Sequence, residues 1–404
     1  MKRDSDIYLC CRYAASLWRT TCAKGGYRVN LLEPLIGELK EWAVDTFTPA
    51  FRDKRLGKTF GDLLEGLIKS SRAGTANIGR ELNRAAKLKN KIKCVDRFLG
   101  NERIDVPASL AHLVAFVISK LRRPRMYVSI DWTDCNDGLF ERLMASANCC
   151  GRSLPIYWIT VLKEDLANNM TETQRKLLRA LRQMIPAHIQ VVILADRGFA
   201  KVELFRLMDK IHLDYIFRGR RDIIVKSATF NGSLDRFPAP KGTRYNFGQV
   251  AFTQEHELPV RLAVFHDVGQ KDAWFLVTSL AGEAAALARQ YAHRMEIEET
   301  FKDLKNVRRG WQLRGLTLST VGRQDRMMLI LAATYAWLTL AGMRVEYRGI
   351  ARTYMASSTH RRVLALWKTG LLVFQKQEEV TLQVLAGYLS PLLYSGEDCE
   401  QTAA

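Results

Sequence analysis

The sequence predicts an α/β protein whose core is interrupted by a β-rich insertion, with helical regions at both ends. Three observations lead there. A strand-like run, Arg125-Met-Tyr-Val-Ser-Ile-Asp-Trp-Thr-Asp134, carries acids at its end. A nearly all-apolar run, Ile189 to Ala195, stops abruptly at Asp196-Arg197-Gly198, as a strand covered on both faces does. The stretch Tyr291–Lys305 has no Gly or Pro and reads as a helix. At about 100° per residue, Tyr291, Arg294, Glu298 and Lys305 share one stripe of it, beside an apolar face of Ile297, Phe301 and Leu304.

Composition narrows the function. The 404 residues suffice for two or three domains. Lys and Arg number 61 against 42 Asp and Glu, a formal charge of +19. Such a balance implies a polyanion, most simply nucleic acid; the competing reading is a basic solvated surface. Eight cysteines show no CxxC and no zinc spacing. The pairs Cys10-Cys11 and Cys149-Cys150 read as ordinary buried or reduced thiols, of a protein in a reducing cytoplasm without a structural metal. Arg12 interrupts the first apolar run, so no signal peptide is expected. The apolar run Met327–Met343 contains Thr334, Thr339 and Gly342 and reads as a buried helix rather than a membrane span.

Five regions follow in order. Residues 1–105 are helical and are assigned to DNA binding. Within them, helices are expected at Thr59–Lys69, Thr75–Ala86 and Lys89–Leu99, the last stopped by Gly100. Arg84, Lys87, Lys89, Lys91, Lys93 and Arg97 give this segment a basic face, with Asp96 its one acid. Short helices before a basic helix suit a helix-turn-helix module, most of whose cations meet phosphate. A solvated basic helix in a bundle is the plainer alternative.

Residues 106–222 carry strands at 125–134, 143–149 and 154–162. A helix near 171–184, a strand ending at Asp196, a helix at 202–210 and a strand at 213–218 follow. This βββαβαβ order is that of an RNase H-like core. Residues 223–280 change to Gly, Pro and short alternating runs (Gln249–Thr253, Val260–Phe265, Trp274–Thr278), a β-rich insertion dividing the core. The core resumes over 281–345, and 346–404 form a helical carboxy-terminal region.

In that fold Asp131, Asp196 and Glu298 converge. Three close carboxylates repel one another unless a cation lies between them. A set of hard oxygens without His or Cys points to Mg²⁺, with Mn²⁺ as substitute. Such a site suits phosphodiester chemistry without a covalent protein nucleophile. Each acid also has a plainer reading. Asp131 can cap a strand end, with Asp134 or Asp137 as the ligand instead, and Asp196 can be a turn residue.

The residues also carry a resemblance. Ile130-Asp-Trp-Thr-Asp134, Leu194-Ala-Asp-Arg-Gly-Phe199 and the spacing Tyr-x2-Arg-x3-Glu-x6-Lys over Tyr291–Lys305 resemble the catalytic boxes of bacterial insertion-sequence DDE transposases. These are the cut-and-paste type with a β-strand insertion. Cys94-Val-Asp-Arg-Phe-Leu-Gly-Asn101 is similar to a stretch of that family's DNA-binding domain. The resemblance covers most of the chain. It implies metal-binding and catalytic roles for Asp131, Asp196 and Glu298, and phosphate contacts for Tyr291, Arg294 and Lys305. It also implies base stacking by Trp274, for which a core aromatic is the alternative. The expected function is metal-dependent cleavage and strand transfer at the terminal inverted repeats of the element, by a homodimer on paired double-stranded DNA ends. The alternative is a catalytically inactive, transposase-derived DNA-binding protein, and its mark would be decay of the acidic triad. A nuclease that cleaves without joining is a third reading.

Overall fold

The computed structural model describes residues 32–121, 123–135, 138–355 and 362–376. Cys10, Cys11, Cys22, Cys399, Asp137 and much of 346–404 lie outside the described residues. The amino-terminal part comprises α1 (Leu32–Phe51), α2 (Lys54–Ser70), α3 (Thr75–Arg80), α4 (Leu88–Gly100) and α5 (Val106–Leu121). Asp53 caps α2 by accepting from the Arg55 amide at 2.8 Å, satisfying one of its free donors. Aromatic rings fill the bundle, with Phe47 and Phe60 meeting at 4.7 Å. The helix expected at Thr75–Ala86 stops at Arg80. The following chain turns back because the Arg84 guanidinium is bound to α2. It donates to Asp62 at 2.8 Å and to Thr59 at 3.1 Å.

Ten strands form one sheet: β1 (Arg125–Cys135), β2 (Phe140–Cys149), β3 (Arg152–Leu162), β4 (Gln190–Ala195), β5 (Asp214–Arg218), β6 (Ile224–Lys226), β7 (Asn231–Ser233), β8 (Arg244–Phe252), β9 (Leu258–Phe265) and β10 (Trp274–Thr278). Their order is β3-β2-β1-β4-β5-β10-β9-β8-β6-β7. β1, β2 and β3 are antiparallel neighbours, while β1–β4 and β4–β5 run parallel. The parallel connections contain α6 (Lys163–Met184) and α7 (Val202–Lys210). The strands of 223–280 extend this sheet, because β10 pairs antiparallel with β5.

Four helices complete the described chain: α8 (Ala284–Ala292), α9 (Met295–Lys305), α10 (Val321–Tyr347) and α11 (Leu366–Lys376). The single helix expected over Tyr291–Lys305 is broken at His293–Arg294. The link is tightened by i→i−3 bonds, Arg294 N to Tyr291 O at 2.9 Å and Glu296 N to His293 O at 3.0 Å. Helix α10 is long and apolar enough to cross a membrane, yet 94% of its apolar stretch is buried inside the protein. Its start holds the end of α4: Arg323 pairs with Asp96, and Arg326 Nε donates to the Leu99 carbonyl. Cys94, Cys135 and Cys149 are free thiols. Cys150 departs from the expectation of a reduced thiol, being disulfide-bonded.

Helices α10 and α11 touch backbone to backbone through glycines. A Cβ on Gly342 would stand 1.9 Å from the Leu366 carbonyl oxygen, and one on Gly370 2.1 Å from that of Leu338. Gly342→Ala should therefore lower unfolding stability by about 1–3 kcal/mol, as overpacking does. Gly37→Ala in α1 meets no atom within 4 Å. It should raise stability by roughly 0.5–1 kcal/mol. Chemical denaturation of both variants checks this pair, and an unchanged midpoint for Gly342→Ala contradicts the close contact.

Candidate active site

Register places the first two acids. In the parallel β1–β4 pair, Ser129 lies opposite Leu194. Two residues further on, the two chains reach Asp131 and Asp196 at the same level. Asp131 Oδ1 accepts from the Trp132 amide at 2.9 Å. Asp196 caps the short 3₁₀ turn Arg197–Phe199, accepting from the Gly198 amide at 2.9 Å.

The third acid comes from α9, whose orientation is fixed by its opposite side. Glu296, Thr300 and Asp303 stand at i, i+4 and i+7, one stripe of the helix. Glu296 accepts from the amides of Cys149 at 3.1 Å and Gly151 at 3.2 Å, and from Asn148 Nδ2 at 3.1 Å. Thr300 Oγ1 accepts from the Ser153 amide at 2.9 Å. Asp303 pairs with Arg152 at 2.6 Å and accepts from the Tyr335 hydroxyl at 2.9 Å. Glu298 faces the other way, toward Asp131. The sequence reading missed this anchoring stripe; its signal was the i, i+4, i+7 repeat of polar residues opposite Glu298.

Arg294 stands between two of the acids. Its Nη1 lies 3.2 Å from Asp131 Oδ2, and its Nη2 bonds Glu298 Oε1. The residue is 9% exposed. Tyr291 is buried and meets Trp274 edge to face, with centroids 5.1 Å apart. Burial pushes the Tyr291 phenol up to about 12, and Arg294, Arg218, Asp196 and Asp131 act on it as neighbours. Trp274 is half-buried on β10. Lys305 pairs with Asp134 at 2.6 Å and holds that carboxyl below its usual range. Of the two alternative acids near the end of β1, Asp134 is thus engaged by Lys305, and Asp137 lies outside the described residues.

Burial raises the Asp131 carboxyl to about 6; Arg294 opposes the shift, and the charges of Asp196 and Glu298 add to it. Asp131 therefore feels both of the other carboxylates. Among the described residues, no three His, Cys, Asp or Glu close into a group able to hold a metal ion. The donor chemistry nonetheless suits a hard cation, and the Arg294 guanidinium is itself a cation lying between two of the carboxylates. Beside Asp196 opens a groove of about 540 Å³ lined by Arg197, Gly198, Arg220, Arg221 and Asp222.

The expected DNA-binding cations lie apart from this cluster. Lys87, Lys89, Lys93 and Arg97 are exposed on and beside α4, and Lys91 is half-buried. Arg84 is committed inside the bundle to Asp62, Thr59 and Cys94.

A raised carboxyl has a signed consequence. Between the ordinary 3.8 and about 6, the folded protein holds a proton on Asp131 that the unfolded chain has lost. That stabilisation is complete below 3.8 and disappears as pH rises through 6. The span corresponds to roughly 3 kcal/mol at most. Asp131→Asn should accordingly raise the Tm of the protein in EDTA at pH 8 and leave it nearly unchanged at pH 4. Melting curves at the two pH values test this; equal effects at both would place Asp131 in an unperturbed environment.

Residues 143–335 match the family model described as a transposase DDE domain. The matched stretch holds Asp196 and Glu298, and Asp131 lies just upstream of it. No curated protein matches the chain. The region that carries two of the three converging acids thus supports a DDE transposase.

Proposed function

We propose that the protein binds the terminal inverted repeats of an insertion sequence, cleaves the DNA there and joins the freed ends to target DNA. The observation that supports the reading is Asp131 on β1, level with Asp196 at the end of the parallel β4 and within electrostatic reach of both Asp196 and Glu298 of the anchored helix. The strand order β3-β2-β1-β4-β5, with α6 and α7 in the parallel connections, supports an RNase H-like core. The added strands β6–β10 correspond to the insertion.

In this reading the three carboxylates would hold Mg²⁺, with Mn²⁺ as substitute, and the ion would supply activation of a water or 3′-hydroxyl and neutralisation of the leaving oxygen. The chain's own residues position the DNA. Arg294 presents a planar fork of donors that suits phosphate as well as carboxylate, so a DNA phosphate competes for it. Lys305 and the Tyr291 phenol flank the same phosphates. Trp274 offers its open side to an unstacked base, an interaction worth about 1–3 kcal/mol. Lys87, Lys89, Lys91, Lys93 and Arg97 bring the repeat to the protein, and Arg84 shapes the module that carries them. Each step is an in-line displacement at phosphorus, so one site serves cleavage and joining. Two copies paired on two ends form the working assembly, in a bacterial cytoplasm.

The test uses DNA bearing the flanking repeats with the full chain, in Mg²⁺ or EDTA. Expected is a nick, hairpin or double-strand break at the repeat boundary, present in Mg²⁺ and lost in Asp196→Ala. Glu298→Gln should reduce cleavage about a thousandfold or more while end binding stays within about twofold, since it removes a charge that would hold the metal ion rather than the DNA. Repeat binding without cleavage in either metal would instead establish an inactive DNA-binding protein. Cleavage without strand transfer would establish a nuclease.

A further inference from the structure

We propose that Asn90 is the residue by which α4 reads DNA sequence, bonding the major-groove edge of an adenine while the neighbouring cations hold phosphate. This rests on the DNA-binding role given above to the α2–α4 module.

The geometry of α4 separates an inner face from an outer one. Val95, Phe98 and Leu99 are buried against the bundle, with Ile92 and Cys94 half-buried at the margin. A Cβ on Gly79 would come within 2.7 Å of Ile92 Cα, so α3 seals this side at backbone distance. The far end of α4 is fixed to α10 through Leu99 and Asp96. The opposite face is open. Asn90, Lys93 and Arg97 stand on it at i, i+3 and i+7, all exposed, with Lys89 beside them. Asn90 is the third residue of α4, in the first turn. Recognition helices meet base edges with their amino-terminal residues.

Chemistry singles out the amide. A lysine ammonium is a point charge with donors only, and its main contribution is to phosphate. An asparagine offers one donor and one acceptor side by side, the pattern that matches adenine N7 and N6. Asn90 is the one neutral amide on the outer stripe of α4. The other asparagines nearby are placed differently. Asn77 donates to the Ala73 carbonyl, Asn101 accepts from the Arg103 amide, and Asn83 lies in the turn before α4. Among the described residues the Asn90 side chain makes no hydrogen bond.

The experiment selects duplexes from a random pool with the full chain in EDTA, then measures binding of every single-base-pair change in the selected site. Wild type, Asn90→Ala, Asn83→Ala and Lys93→Ala are compared. Asn90→Ala should flatten preference at one A·T pair by about tenfold or more. Its binding to unrelated DNA should not change. Placing 7-deazaadenine at that pair should weaken the wild type and leave Asn90→Ala unaffected. Lys93→Ala should weaken all sites alike and lower the salt slope, and Asn83→Ala should resemble the wild type. A selective wild type whose profile survives Asn90→Ala unchanged overturns the proposal and leaves the transposase reading standing. A wild type that binds no duplex overturns both.

Discussion

Everything in the candidate site depends on how α9 is fastened to the β2–β3 hairpin. A carboxylate that accepts from two backbone amides is held in place, because each hydrogen bond to a charged group contributes about 1.5–3 kcal/mol. Glu296 does this at the hairpin turn, through Cys149 and Gly151. Thr300 and Asp303 continue the attachment one and two turns later. With that side of the helix immobilised, Glu298 has little choice of direction. Through Arg294 it faces strand ends whose own alignment is set by the β1–β4 register, so elements distant in sequence bring Asp196 and Glu298 within electrostatic reach of Asp131.

The acids of the cluster are half-buried in a basic protein. Asp131 loses hydration and gains two anionic neighbours, both unfavourable to its charge. Arg294 offsets part of this from inside the cluster, where solvent screens it little. The +19 of the whole chain acts at longer range and favours a polyanion as partner.

Much of this was legible in the sequence. The all-apolar run before Asp196 announced a strand covered on both faces, and it is β4. The acids at the end of β1 and the alternation at Trp274–Thr278 fell on strands as expected. What was not legible came from tertiary contact. Nothing in Tyr291–Lys305 forbids one continuous helix. The break at His293–Arg294 accompanies a contact made elsewhere, Arg294 reaching Asp131, and a local one, His293 reaching Glu296 three residues on. The short end of α3 is similar, since Arg84 finds its partners on α2. Period-two patterning identified most strands of 223–280 but not their neighbours. The β10–β5 pairing makes them one sheet with the core, and β6 and β7 were too short to announce themselves.

One attachment has a further consequence. The end of α4 is clasped by Arg323 and Arg326 at the start of α10, and α10 runs through the core beside β3. The outer face of α4 and the acid cluster are therefore joined through one continuous set of contacts. Such a connection works as a ruler. The span between the outer face of α4 and Asp131, Asp196 and Glu298 is set by protein atoms, so on the function proposed above a DNA end would have to match that length.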